Sequence, residues 1–93
     1  MIHCVLHDPT DSVAVVVVEG VKAGATLTGL ILDEDRTISV ACVQDIPIGH
    51  KVALKDMKVG DTVIKYGVDI GKVVQPIAKG AHAHVHNIKT KRW

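Results

Sequence analysis

Three of the chain's six histidines fall within five residues, in Ala81-His82-Ala83-His84-Val85-His86-Asn87. Imidazole is the commonest protein ligand for first-row metals, and with an ordinary pKa of about 6.5 it also gives or takes a proton at neutral pH. In a strand, alternation puts His82, His84 and His86 on one face, and Ala83, Val85 and Asn87 on the other. Same-face neighbours then lie about 6.6 Å apart, at a rise of ~3.3 Å per residue. Two such rings can lean onto one ion, each nitrogen about 2.0–2.1 Å from it. His82 and His86, roughly 13 Å apart along a strand, cannot both join that ion. The remaining ligands must come from elsewhere, and His50, in Gly49-His50-Lys51, and the carboxylates are available.

The plain alternative is a solvated strand face. A single His-x-His pair often does nothing more. Three alternating histidines followed by Asn, on an otherwise aliphatic chain, favour a metal or proton-transfer site. An artificial tag does not fit, because the histidines are interleaved with Ala and Val.

Other groups are weaker candidates. Lys51, Lys65 and Lys72 can meet an anion, although surface lysines usually do nothing specific. Tyr66, the sole tyrosine, reads as a packing residue with a wet hydroxyl. His3 and His7 look peripheral, and Asp33-Glu34-Asp35 reads as a solvated loop. There is no nucleophile motif, no phosphate-cradling glycine loop and no cysteine pair at zinc spacing.

The elements that carry these residues are short. A chain of 93 residues fits one domain, 1–93, with a thin stability margin. Its hydrophobic fraction is 47%, built from Val, Ile, Leu and Ala with no Phe, one Trp and one Tyr. β-Branched aliphatics punctuated by Gly and Pro predict an all-β fold of short strands. Val13–Val18 is a continuous apolar run and predicts a strand buried on both faces. Strands are also expected over 26–32, 37–43, 62–66, 70–75 and 81–88, while 52–57 reads as a helical turn or an irregular segment. Asp8-Pro9-Thr10-Asp11 reads as a turn. No internal repeat is evident.

A net charge of +1 and a near-absence of stacking aromatics argue against a nucleic-acid partner. The longest apolar run is far below the ~20 residues of a membrane span, so no membrane association is expected. Cys4 and Cys42 form no CxxC and read as two reduced thiols in a soluble, cytoplasmic protein. One histidine strand offers no opposing wall for a pocket, whereas an active site needs several groups converging in a concave, partly dry place. A second protein that supplies the rest is the simplest resolution.

Three blocks then stand out: Gly49-His50-Lys51-Val52-Ala53-Leu54, Val63-Ile64-Lys65-Tyr66-Gly67 with Ile70-Gly71, and His82-x-His84-x-His86-Asn87. Together they resemble the small SAF-type domain of the altronate/galactarate dehydratase family, over nearly the whole chain. The opening Val13–Gly24 and the ending His86–Trp93 look most like the small subunit of those members that release sulfite from sulfolactate, with the small subunit of altronate (sugar-acid) dehydratases close behind. The resemblance implies a β-clip fold of short bent strands. It implies a large catalytic partner subunit, a divalent metal, Fe(II) first, and β-elimination from a small anionic 2-hydroxy acid. It places His84 and His86 at the active site as metal ligands or proton carriers. It adds His82 and His50 to the metal candidates, and Lys51, Lys65 and Asn87 to the substrate contacts. A free-standing metal- or sugar-acid-binding module is the competing reading, and a homo-oligomer is left open.

Overall fold

The computed structural model describes residues 1–90, which form nine short strands and no helix. In chain order they are β1 (Cys4–Leu6), β2 (Val13–Val16), β3 (Thr26–Ile31), β4 (Arg36–Ala41), β5 (Lys51–Ala53), β6 (Thr62–Lys65), β7 (Val68–Val73), β8 (His82–Ala83) and β9 (Ile88–Lys89). Six strands make one sheet in the order β4-β3-β1-β2-β5-β8, and β6-β7-β9 make a second. All pairings are antiparallel except β1 with β3. The all-β expectation stands, with the short strands that frequent Gly and Pro impose.

The aliphatic residues divide into two clusters. Cys4, Leu6, Val16, Leu27, Ile31, Val40, Cys42, Ile46 and Val52 belong to the first. Val13, Ala53, Met57, Val63, Val73, Ile77, Ala83 and Ile88 belong to the second. β2 and β5 contribute to both, which is why the Val13–Val16 run is apolar on both faces. Both cysteines are buried free thiols. Burial, with the neighbouring Cys42 second, pushes the Cys4 thiol up to about 11.

A repeat exists that the sequence conceals. Val21–Gly24, Ile46–Gly49, Met57–Gly60 and Ile77–Gly80 adopt the same turn: a buried apolar residue, two turn residues and a left-handed glycine. The turns work in pairs, bridged at Val21–Ile46 and Met57–Ile77, and each pair closes one cluster. Even the polar ties repeat. Asp45, just before Ile46, accepts from the Ala23 amide at 2.9 Å, and Asp56, just before Met57, accepts from the Lys79 amide at 2.8 Å. Only one apolar position and one glycine per turn are shared, at uneven intervals, so sequence alone shows no period. This pairing also resolves residues 52–57, which end β5 and enter the third turn with no helical turn.

A histidine cluster as candidate metal centre

The second and fourth turns set the histidines. His50 follows Gly49 at the start of β5, and its carbonyl accepts from the Val16 amide at 2.9 Å. His82 follows Gly80 and Ala81 and opens β8. β5 and β8 pair antiparallel with Lys51 opposite Ala83 and Val52 opposite His82. One step further along that register brings His50 against His84, and their rings stack with centroids 3.7 Å apart. His50 Nδ1 lies 2.8 Å from His82 Nε2. His50, His82 and His84 can each offer one nitrogen within 4.8 Å of the others.

The expected continuous strand over 81–88 is not what forms. β8 ends at Ala83, a turn follows, and the chain resumes as β9 against β7. Asn87 makes this turn. It is buried; its Oδ1 accepts from the His84 amide and its Nδ2 donates to the His82 carbonyl, both at 2.9 Å. The amides of Asn87 and Ile88 both donate to the His84 carbonyl. The fold-back shortens the roughly 13 Å strand spacing of His82 and His86 to 5.0 Å between ring centroids. His86 nevertheless stays outside the group of three, exposed on its rim. Asn87, expected to touch substrate, is buried with both ends of its amide bonded to the backbone of His82 and His84.

The donor set suits a divalent first-row ion. Burial holds the His84 imidazole below its usual pKa, with His50 and Lys51 adding to the effect. Burial does the same to His82, followed by His86, His50 and His84. Both shifts favour the neutral, ligating form. His84 Nδ1 is buried with no hydrogen-bond partner among the described residues. An unsatisfied buried polar atom costs about 1–3 kcal/mol, and a metal ion bound by its lone pair would remove that cost.

The lysines lie close by. Lys51 and His84 line an open depression of about 310 Å³ with Ile70, Val85, Ile88 and Thr90. Lys51 is held below its ordinary pKa by burial first and by the Lys65 ammonium second. Lys65 ends β6, its ammonium 5.6 Å from the centre of the Tyr66 ring. Both lysines are half-buried with no salt bridge to either among the described residues, and Lys51 stands beside His84 in the depression. Lys72 is exposed on β7. His3 accepts from the Thr28 amide at 2.9 Å and His7 sits beside Asp8, so neither joins the cluster.

These shifts have a pH signature. A histidine whose folded pKa lies below its unfolded value binds fewer protons folded than unfolded, so acid favours unfolding. Stability is therefore expected to be level above about pH 7 and to fall as pH drops through 6.5 towards 5. Asp8 and Asp45, held below their usual 3.8 by hydrogen bonds to Thr10 and to the Ala23 amide, lose their contribution only in stronger acid. Melting curves of the metal-free chain between pH 5 and 8 test this, and a melting temperature that does not move over that range refutes it.

Comparison with known proteins agrees with the three blocks. Residues 2–91 match the altronate/galactarate dehydratase SAF domain. The (2R)-sulfolactate sulfo-lyase subunit alpha of Chromohalobacter salexigens is 60% identical over 89 residues, covering 96% of this chain and 95% of that one. The protein of the same name from Paracoccus pantotrophus is 53% identical over 64 residues, covering 69% of this chain and 96% of that one. The altronate dehydratase of Bacillus subtilis is 47% identical over 53 residues, 57% of this chain but 11% of that much longer protein. These relatives are lyase and dehydratase chains, and this chain belongs to the altronate/galactarate dehydratase SAF-domain family.

Proposed function

We propose that this chain is the small subunit of a two-component cytoplasmic lyase that removes sulfite from sulfolactate and leaves pyruvate. One observation carries the reading. The chain matches sulfolactate sulfo-lyase alpha subunits over 95% and 96% of their length, but an altronate dehydratase over only 11% of its length. A subunit called alpha implies a partner, and an open depression on a domain this small needs one.

His50, His82 and His84 would hold a divalent ion, iron(II) first. When bound, the ion supplies a Lewis acid that stabilises enolate charge at the substrate's carboxylate and hydroxyl. Lys51 and Lys65 bind the substrate's carboxylate or sulfonate. His86, on the rim and outside the ligand set, takes the proton from C2. The C3–sulfur bond breaks, sulfite leaves with the bonding pair, and the enol tautomerises to pyruvate. Asn87 keeps His82 and His84 in place.

The test is to isolate the chain from its native cells with whatever binds it, add iron(II) and sulfolactate, and assay sulfite and pyruvate. Equimolar release of both is expected. No sulfite, with a large partner present, favours dehydration of a sugar acid, the reading supported by the altronate dehydratase match. No sulfite and no partner leaves a free-standing binding module.

A further inference from the structure

Asp11 is a buried carboxylate held by the backbone. It is 3% exposed, yet it takes part in no salt bridge among the described residues. Its oxygens accept three backbone amides instead. Oδ2 accepts from His7 at 2.7 Å and Tyr66 at 3.0 Å, and Oδ1 accepts from Gly67 at 2.9 Å. The His7 bond closes the loop between β1 and β2. The other two reach 55 and 56 residues along the chain to the tip of the β6–β7 hairpin.

That tip is strained. Tyr66 has φ 52° and Gly67 φ 73°. A left-handed tyrosine is unfavourable unless its surroundings hold it there. Charge-assisted bonds from two successive amides to one buried carboxylate are such a hold. Ser12 adds to it, its hydroxyl accepting from the Ile64 amide at 3.1 Å and its amide donating to the Ile64 carbonyl at 2.8 Å. The left-handed turn sets the Tyr66 ring beside the Lys65 ammonium. A chain of contacts thus runs from a buried acid, through two amides and one ring, to the Lys65 ammonium. A turn that only had to close a hairpin would be served by Asn-Gly or Gly-Gly with no buried charge behind it.

We infer that Asp11 is a positioning residue for the anion site: it holds the Tyr66–Gly67 tip in the conformation that aims Lys65 at a bound sulfonate or carboxylate. The inference rests on the proposed role of Lys65 and deepens it.

A double-mutant experiment in the assembled lyase separates the two. With sulfolactate as substrate, Lys65→Ala tests the lysine alone and Asp11→Asn tests the hold. Asp11→Asn is expected to raise KM about tenfold and change kcat less than about twofold, as for lost ground-state binding. In the Lys65→Ala background it should add nothing, because the group it acts through is gone. An equal loss in kcat, or an undiminished effect without Lys65, overturns the positioning role and leaves a structural one. Lys65→Ala raising KM while Asp11→Asn does not also overturns it, with the lysine reading intact. No effect of Lys65→Ala removes the lysine reading and this inference together. Should Asp11→Asn fail to fold, Gly67→Ala strains the same tip at a φ of 73° with only His7 Nδ1 nearby, at 3.8 Å, and the same rise in KM and the same dependence on Lys65 are required of it.

Discussion

Replacing His84 with alanine is expected to lower turnover of the assembled lyase at least about 100-fold. Loss of a group that merely orients a metal ligand costs about 10–100-fold, and His84 is proposed as the ligand itself. The same change should leave the isolated chain folded. The His84 ring is only part-buried, and its Nδ1 bonds no other group among the described residues. What the fold needs from this residue is its backbone, which anchors the turn to Asn87 and Ile88. Two readouts follow. Iron(II) or zinc should raise the melting temperature of the wild-type chain, as a ligand specific for the folded state must, and should have no such effect on His84→Ala. Wild-type turnover in His84→Ala, with its partner bound, would falsify the proposed site.

The second large effect falls on stability. Gly80→Ala is expected to cost about 3–5 kcal/mol and to leave much of the chain unfolded at 37 °C, since a domain this size has only about 5–10 kcal/mol to lose. A β-carbon at Gly80 would stand 1.9 Å from the Ala41 carbonyl oxygen and 3.1 Å from its carbon. Those are backbone atoms at the end of β4, fixed further by the Val43 amide donating to the Gly80 carbonyl at 2.9 Å. The φ of 84° adds its own strain. Gly60, at the matching place in the third turn, has a φ of 95° and nothing within 4 Å of such a carbon. Gly60→Ala should therefore cost only about 1 kcal/mol. Urea denaturation of the pair gives the comparison. Equal losses would mean that backbone conformation alone, and not the close approach to Ala41, sets the demand at Gly80.

The sequence announces the strands better than it announces the site. Val13–Val16, Thr26–Ile31 and Arg36–Ala41 follow from β-branched runs and from the alternation of Ile38, Val40 and Cys42, because periodicity reports which face is buried. The three alternating histidines point to the right segment for a reason that does not hold in space. Alternation assumes a strand, and Asn87 ends that strand by capturing the His84 amide and the His82 carbonyl. A side chain that bonds its neighbours' backbone competes with the sheet ladder, and residue spacing does not reveal which wins. His50 is legible as a candidate by its type and by its Gly-His-Lys block, but its place opposite His84 depends on the β5–β8 register. Asp11 gave no sign beyond a turn signature, because its partners are amides that any residue at positions 66 and 67 would offer.

The paired turns bring the three histidines together from both halves of the molecule. His50 comes from the pair that closes the first cluster, and His82 and His84 follow the pair that closes the second. β5 and β8 share only two register positions, a short seam between the two halves. An ion gripped by these three rings would fasten that seam, cross-linking points 32 residues apart in the chain. It would do for the halves what a disulfide does for a loop, restricting the freedom of the unfolded chain that still holds it, in a protein whose two cysteines are buried and unpaired. Such an ion would then also serve as the rivet that makes two small cores melt as one.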